Sequence, residues 1–164
     1  VKKLETKQEP IRVFLFLEEN SPRKIFKDAL QQVPFETELS IYYFSELVEA
    51  IAPGQQLPDI IFISCNLPCL KAKRCLMDIR KSTKLKDVPV IIFSNSSYLE
   101  EIHKVYDWGA NLYVPKSVLI KEKIKTMEAV FENRWRKNLL KRNRSRFVLS
   151  AIMDEDHHLT RHES

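Results

Sequence analysis

Four stretches of the chain are apolar at nearly every position: 11–17 (IRVFLFL), 60–63 (IIFI), 88–93 (VPVIIF) and, less strictly, 111–115 (NLYVP). A run of this kind leaves no polar face, which predicts strands of a parallel sheet covered on both sides. Residues 38–44 (ELSIYYF) differ, because Leu39, Ile41 and Tyr43 alternate with their neighbours. That alternation predicts a strand at a sheet edge. Between the strands, apolar side chains recur every three or four residues. Ile25, Phe26, Ala29, Leu30 and Val33 predict a helix that Ser21 caps, Pro22 opens and Pro34 ends. Residues 46–51 predict a short helix capped by Ser45, with Glu49 near the capping-box position. Ala72, Cys75, Leu76 and Ile79 predict a helix over 71–81. The hydroxyls of 94–97 and the glycine at 109 bracket another over 98–108.

Strand and helix thus alternate five times. This predicts an α/β fold, a flavodoxin-like (βα)5 doubly wound parallel sheet with strand order 2-1-3-4-5. The last helix is expected to be long. Ile120, Ile124, Met127, Phe131, Trp135 and Leu139 form one stripe, and a helix from 117 to about 142 would run roughly 39 Å. A five-stranded sheet covers only its first half, so Trp135, Leu139 and Leu140 lack a partner within the fold and predict an interface.

Charge sharpens the picture at this end of the chain. The formal net charge is +5, but residues 134–146 hold seven basic side chains and no acidic one. These are Arg134, Arg136, Lys137, Lys141, Arg142, Arg144 and Arg146. The expected organisation is a polar lead over 1–10, a domain over 11–131, a basic helical extension over 132–146 and a polar, disordered tail over 147–164. With no apolar run near 20 residues, a polar N-terminus and three cysteines, the expected setting is the cytoplasm.

In open α/β sheets, ligands gather past the carboxyl ends of the strands. There the sequence places Glu18 and Glu19 after the first strand and Ser64, Cys65 and Asn66 after the third. Ser94 follows the fourth, and Lys116 follows Tyr113 on the fifth. With Pro58-Asp59 before the third strand, Leu67-Pro68 after it and Gly109-Ala110 before the fifth, these residues resemble the receiver domain of bacterial two-component, chemotaxis-type response regulators over 10–131. The resemblance implies a signalling module in a phosphorelay whose phosphorylated aspartate aligns with Ser64. A serine hydroxyl cannot form the acyl phosphate, nor supply a carboxylate for Mg²⁺. Without gaps, Leu17 and Glu18 take the family's two acidic positions; with a one-residue shift, Glu18 and Glu19 take them. The gapless register is preferred.

The expectation is therefore an atypical, stand-alone receiver that has lost its phosphoacceptor, with Glu18, Glu19, Ser64, Ser94, Tyr113 and Lys116 as a degenerate site. Lys116 is expected to pair with Glu18 and to hydrogen-bond Ser64. Lys71 and Lys73 are expected near the site mouth, opposing a metal. No cofactor, no metal and no enzymatic activity are expected, since no His or Asp lies where it would activate Ser64. Cys65, Cys69 and Cys75 read as buried apolar side chains before they read as redox sensors. His103 reads as exposed, and His157, His158 and His162 as part of the polar tail. Receivers present their state on helix four, strand five and helix five, here around Tyr98, His103, Tyr106, Tyr113 and Lys121. With Trp135 and Leu139, Tyr98 and Tyr106 are the candidate interface for another signalling protein, or for a second copy through the C-terminal helix. The alternative is a nucleic-acid-binding regulator using the basic helix. No membrane or small-molecule partner is expected.

Overall fold

The strands form where the apolar runs end in polar residues, and they pair in parallel. A computed structural model describes residues 9–131, 142 and 144–148. Its five strands are β1 (Ile11–Leu17), β2 (Thr37–Tyr43), β3 (Ile60–Cys65), β4 (Val90–Ser94) and β5 (Leu112–Pro115). They lie in the order β2-β1-β3-β4-β5, as expected from the sequence. The helices are α1 (Lys24–Gln31), α2 (Leu47–Ala50), α3 (Leu70–Lys81), α4 (Leu99–Asp107), α5 (Lys116–Lys121) and α6 (Lys123–Phe131).

Alternation along the central strands divides the core in two. Phe14, Phe16, Ile61, Ile63 and Ile92 face α3 and α4, where Leu76, Ile79, Ile102 and Val105 close the layer. Val13, Leu15, Phe62, Ile91 and Phe93 face the other side, against Phe26 and Leu30 of α1 and Met127, Val130 and Phe131 of α6. All these side chains are buried. β2 is half-buried along most of its length, as its alternating pattern predicts.

Helix starts depart from expectation in instructive ways. α1 begins at Lys24, after Arg23 and without a side-chain cap. Ser21 instead closes a turn, its amide donating to the Glu18 carbonyl at 3.0 Å. In α3 the cap is Cys69, whose sulfur accepts from the Ala72 amide at 3.4 Å. The second helix is a 3-10 turn over Phe44–Glu46 followed by the single turn of α2. Glu46, and not Ser45 with Glu49, closes its start by accepting from the Tyr43 amide at 2.8 Å.

The C-terminal half corrects two expectations. The long helix is broken at Glu122 into α5 and α6. The break lets Leu119 and the Met127–Val130–Phe131 group both reach the core, and it leaves Ile120 exposed, outside the stripe predicted for it. The chain then returns to the sheet. Arg144–Arg146 form a 3-10 turn, Phe147 is 1% exposed, and Val148 forms a parallel bridge with Tyr113 of β5. Residues 147 and 148 are thus part of the packed fold and not of a polar tail. An aromatic side chain that can leave water for the α4–β5 groove outweighs the polarity of its neighbours. Trp135, Leu139, Arg134, Arg136, Lys137, Lys141 and the tail histidines lie outside the described residues.

Candidate functional site

Strand register brings the predicted site residues to one end of the sheet. Ser64 of β3 lies beside Leu17 of β1, and Cys65 beside Ser94 of β4. Leu17 is buried among the α1-side core, while Glu18 and Glu19 are exposed in the turn that follows. The position level with Ser64 is therefore apolar, and Glu18 is the first acid beyond it.

Glu18 is engaged sideways: the Cys69 thiol donates to its Oε1 at 3.6 Å. Lys116 extends from the end of β5 and donates from Nζ to Asn66 Oδ1 at 3.1 Å. The expected partners Glu18 and Ser64 are replaced by Asn66, which by the two-residue repeat of an extended chain shares a side with Ser64. Asn66 is where the sequence places it, past the third strand with Ser64 and Cys65, but its role as the partner of Lys116 was not foreseen. Burial lowers the Lys116 pKa, against the weaker opposing fields of Cys65 and Glu18. Ser94 is fully buried and accepts from the Leu67 amide at 3.2 Å, so it holds the β3–α3 loop. Tyr113 is also buried, and its hydroxyl donates to the Ser96 carbonyl at 2.6 Å. Both residues act here as braces of the site floor.

The lysines of α3 divide. Lys71 is exposed at the lip of a cavity of about 820 Å³. The cavity opens beside Glu18 and Glu19 because α2 is only one turn long. Lys73 turns away from the site and sits over the Trp108 ring, 5.8 Å from its centroid, so it does not guard the mouth as expected. Among the described residues, no three His, Cys, Asp or Glu side chains converge in a way that would hold a metal ion.

The cysteines are poor thiolates. All three are buried, and burial is the largest cause pushing Cys65 and Cys75 up to about 12 and raising Cys69 as well. A thiol whose folded pKa is raised contributes stability in full below its ordinary value of 9.0 and loses it as pH climbs towards the folded value. Urea unfolding from about pH 8 to about pH 11 should show stability falling above about pH 9, by up to about 1.4 kcal/mol per pH unit for each such thiol. Cys75→Ala should remove one thiol's share of that slope; an unchanged slope would contradict the assignment.

The candidate interface is only partly open. Tyr98 is 72% exposed, and His103 is exposed as expected. Tyr106 is instead covered by the returning chain. The Arg142 and Arg144 guanidiniums lie 4.1 and 4.4 Å from its ring centroid, and Phe147 packs edge-on at 5.0 Å. Arg142 and Arg144, read as basic-patch residues, are occupied within the protein. Arg142 donates to the Ala110 carbonyl at 3.0 Å, and Arg144 pairs with Asp107 at 2.6 Å.

Five parallel strands in the order 2-1-3-4-5 with helices on both faces also describe solved structures of response regulators. The phosphorylated cyanobacterial phytochrome response regulator RcpA superposes with a TM-score of 0.63 at 21% identity, over 77% of this chain and 94% of that one. The fold is that of a response-regulator receiver domain. In sequence, the receiver is similar to response regulator Rcp1 of Synechocystis sp., 27% identical over 78 residues, which are 48% of this chain and 52% of that protein. It is also similar to two-component response regulator ORR8 of Oryza sativa subsp. indica, 37% identical over 62 residues, 38% of this chain and 51% of that protein. The chain spans about half the length of the curated relatives it matches. No family model matches the sequence. Among the described residues, no helix is long and apolar enough to cross a membrane.

Proposed function

We propose that this receiver domain signals by protein–protein contact without taking up a phosphoryl group. The observation that carries the reading is the Ser64 hydroxyl at the carboxyl end of β3, level with the buried Leu17. An acyl phosphate needs a carboxylate at that point, and the two flanking acids that would hold Mg²⁺ are reduced to Glu18, which already accepts from Cys69. The Lys116 ammonium, which in a phosphorylated receiver would meet a phosphoryl oxygen, donates here to Asn66. The site keeps the frame of a receiver, with Lys116 turned to Asn66 and Glu18 to Cys69. The output is then set by which surfaces the domain offers to another signalling protein or to a second copy of itself. The fixing of Arg142 and Arg144 on Tyr106 counts against a nucleic-acid role for those two side chains.

Incubation with acetyl phosphate and Mg²⁺ tests this directly. Intact mass and backbone amide NMR shifts are expected to stay unchanged. A phosphoryl group added to the folded protein would overturn the reading.

A further inference from the structure

The described residues of the C-terminal segment, Arg142 and 144–148, are seated on the α4–β5 face like a bound peptide. The Tyr113 amide on the outer side of β5 donates to the Phe147 carbonyl at 2.7 Å, and Val148 bridges Tyr113 in parallel. This is strand addition to a sheet edge, the way extended peptides dock. Specificity comes from side chains. The Phe147 ring enters the groove between Tyr106 and Tyr113, 5.0 and 6.4 Å from their centroids, and is buried. Arg142 and Arg144 stack on Tyr106, and Arg144 reaches Asp107 and His103.

Among the described residues of the segment, Phe147 is the side chain seen buried, Val148 makes one bridge to Tyr113, and Arg142 and Arg144 remain exposed to water, where cation–π contacts are weak. Ordering a stretch of backbone costs about what such contacts return.

We propose that the α4–β5 groove is a peptide-docking site held in cis by this segment, with Phe147 as the anchor, so that a partner gains the groove by displacing it. The partner segment it fits is basic, makes one 3-10 turn and then runs along β5, with an aromatic side chain three residues beyond an arginine, as Phe147 lies beyond Arg144. Tyr113 braces the floor of the Ser64 site with its hydroxyl and lines this groove with its ring and amide, but the proposal does not depend on how that site treats phosphate.

Hydrogen exchange on the full chain reads the segment directly, because the Tyr113 amide donates across this contact. It should exchange faster than the β4 amides of the sheet interior, through an opening short of global unfolding. Exchange of Tyr113 only with global unfolding would overturn the proposal. A fluorescent peptide of sequence RNRSRFV supplies the second measurement. It should bind full-length Phe147→Ala about tenfold more tightly than wild type, because the groove is no longer occupied in cis. The same peptide with Ala for Phe should not bind. Equal binding to both proteins, or to neither, would overturn cis occupancy. If Phe147→Ala does not fold, the paired variant Arg142→Ala/Arg144→Ala replaces it, with the same tighter binding expected. A concentration-dependent dimer in which Tyr113 stays protected would also overturn it, placing the segment of a second copy in the groove.

Discussion

Arg80→Ala should lower the free energy of unfolding by about 3 kcal/mol, although the residue touches neither the candidate site nor the centre of the core. Arg80 leaves the last turn of α3 and gathers three parts of the chain. Its Nε donates to the Gly109 carbonyl at 2.8 Å, one terminal nitrogen donates to the carbonyls of Val88 at 2.8 Å and Lys86 at 3.1 Å, and the other donates to Asn111 Oδ1 at 2.6 Å. Asn111 Oδ1 in turn accepts from the Val90 amide at 2.8 Å, so the cluster sets where β4 begins and where the turn from α4 enters β5. Truncation leaves part-buried carbonyls without a donor. Each charged hydrogen bond is worth about 1.5–3 kcal/mol, but the Lys86 contact is exposed and the bonds share one side chain, so they do not add. Burial, with the nearby charge of Arg142, lowers the guanidinium pKa to about 10, which keeps it charged at neutral pH. Arg80→Lys should recover little, because an ammonium cannot reproduce the planar fork. A double-mutant cycle with Gly109→Ala provides an internal check. A Cβ at Gly109 would sit 2.9 Å from Arg80 Cγ, on a backbone with φ of +110°. Gly109→Ala should therefore cost less in the Arg80→Ala background than in wild type, and the remainder should be the backbone strain. Chemical denaturation of the four proteins measures all of these terms; strict additivity would show that the two positions do not meet.

Phe62→Ala is expected to cost about 3–5 kcal/mol, the largest loss from any one side chain considered. Phe62 is fully buried on β3, stacks on Phe93 at 5.4 Å, meets Phe26 edge-on at 4.9 Å and approaches Phe131 at 6.1 Å. It joins a central strand to its neighbour, to α1 and to α6. The cavity would be lined by rigid aromatic rings that cannot collapse into it, which places the cost towards the upper end. Phe62→Leu should cost about a third as much, since most of the volume is kept. Thermal or urea unfolding, with loss of near-ultraviolet dichroism, reads both variants. A cost below about 1 kcal/mol for the alanine would mean that α6 is not docked as described.

The sheet was legible because full burial writes itself into the chain as runs such as IIFI, and edge placement as the alternation in 38–44. Order followed from the strand–helix alternation. Helix starts were less legible: Ser21-Pro22 carries a strong start signal, yet the chain spends it on a turn. The cap that Cys69 supplies to α3 has no sequence signature at all. The break at Glu122 was invisible because no glycine or proline marks it; it follows from two helices sharing one core. The return of 144–148 was hidden for a different reason. The apolar residues of 147–153 (FVLSAIM), behind seven cations, were read as part of a polar tail, and the α4–β5 groove gives Phe147 a reason to turn inwards. At the site, the strand ends were easier to read than the hydrogen-bond partners. Ser64 and Ser94 lie at the ends of β3 and β4 and Lys116 follows β5, but which polar atom Lys116 meets depends on the course of the loop after Cys65.

The bond from Tyr113 to the Phe147 carbonyl has a consequence beyond docking. A sheet edge with free amides and carbonyls is a template on which another chain's strand can grow. β2, at one edge, carries the exposed charge of Glu38, which discourages such growth. β5 is apolar and buried over most of its length, with no charge of its own to repel a newcomer. There the protection is Phe147 and Val148 themselves, so lifting the segment uncovers an unguarded strand, and solubility at high protein concentration should depend on how rarely it lifts.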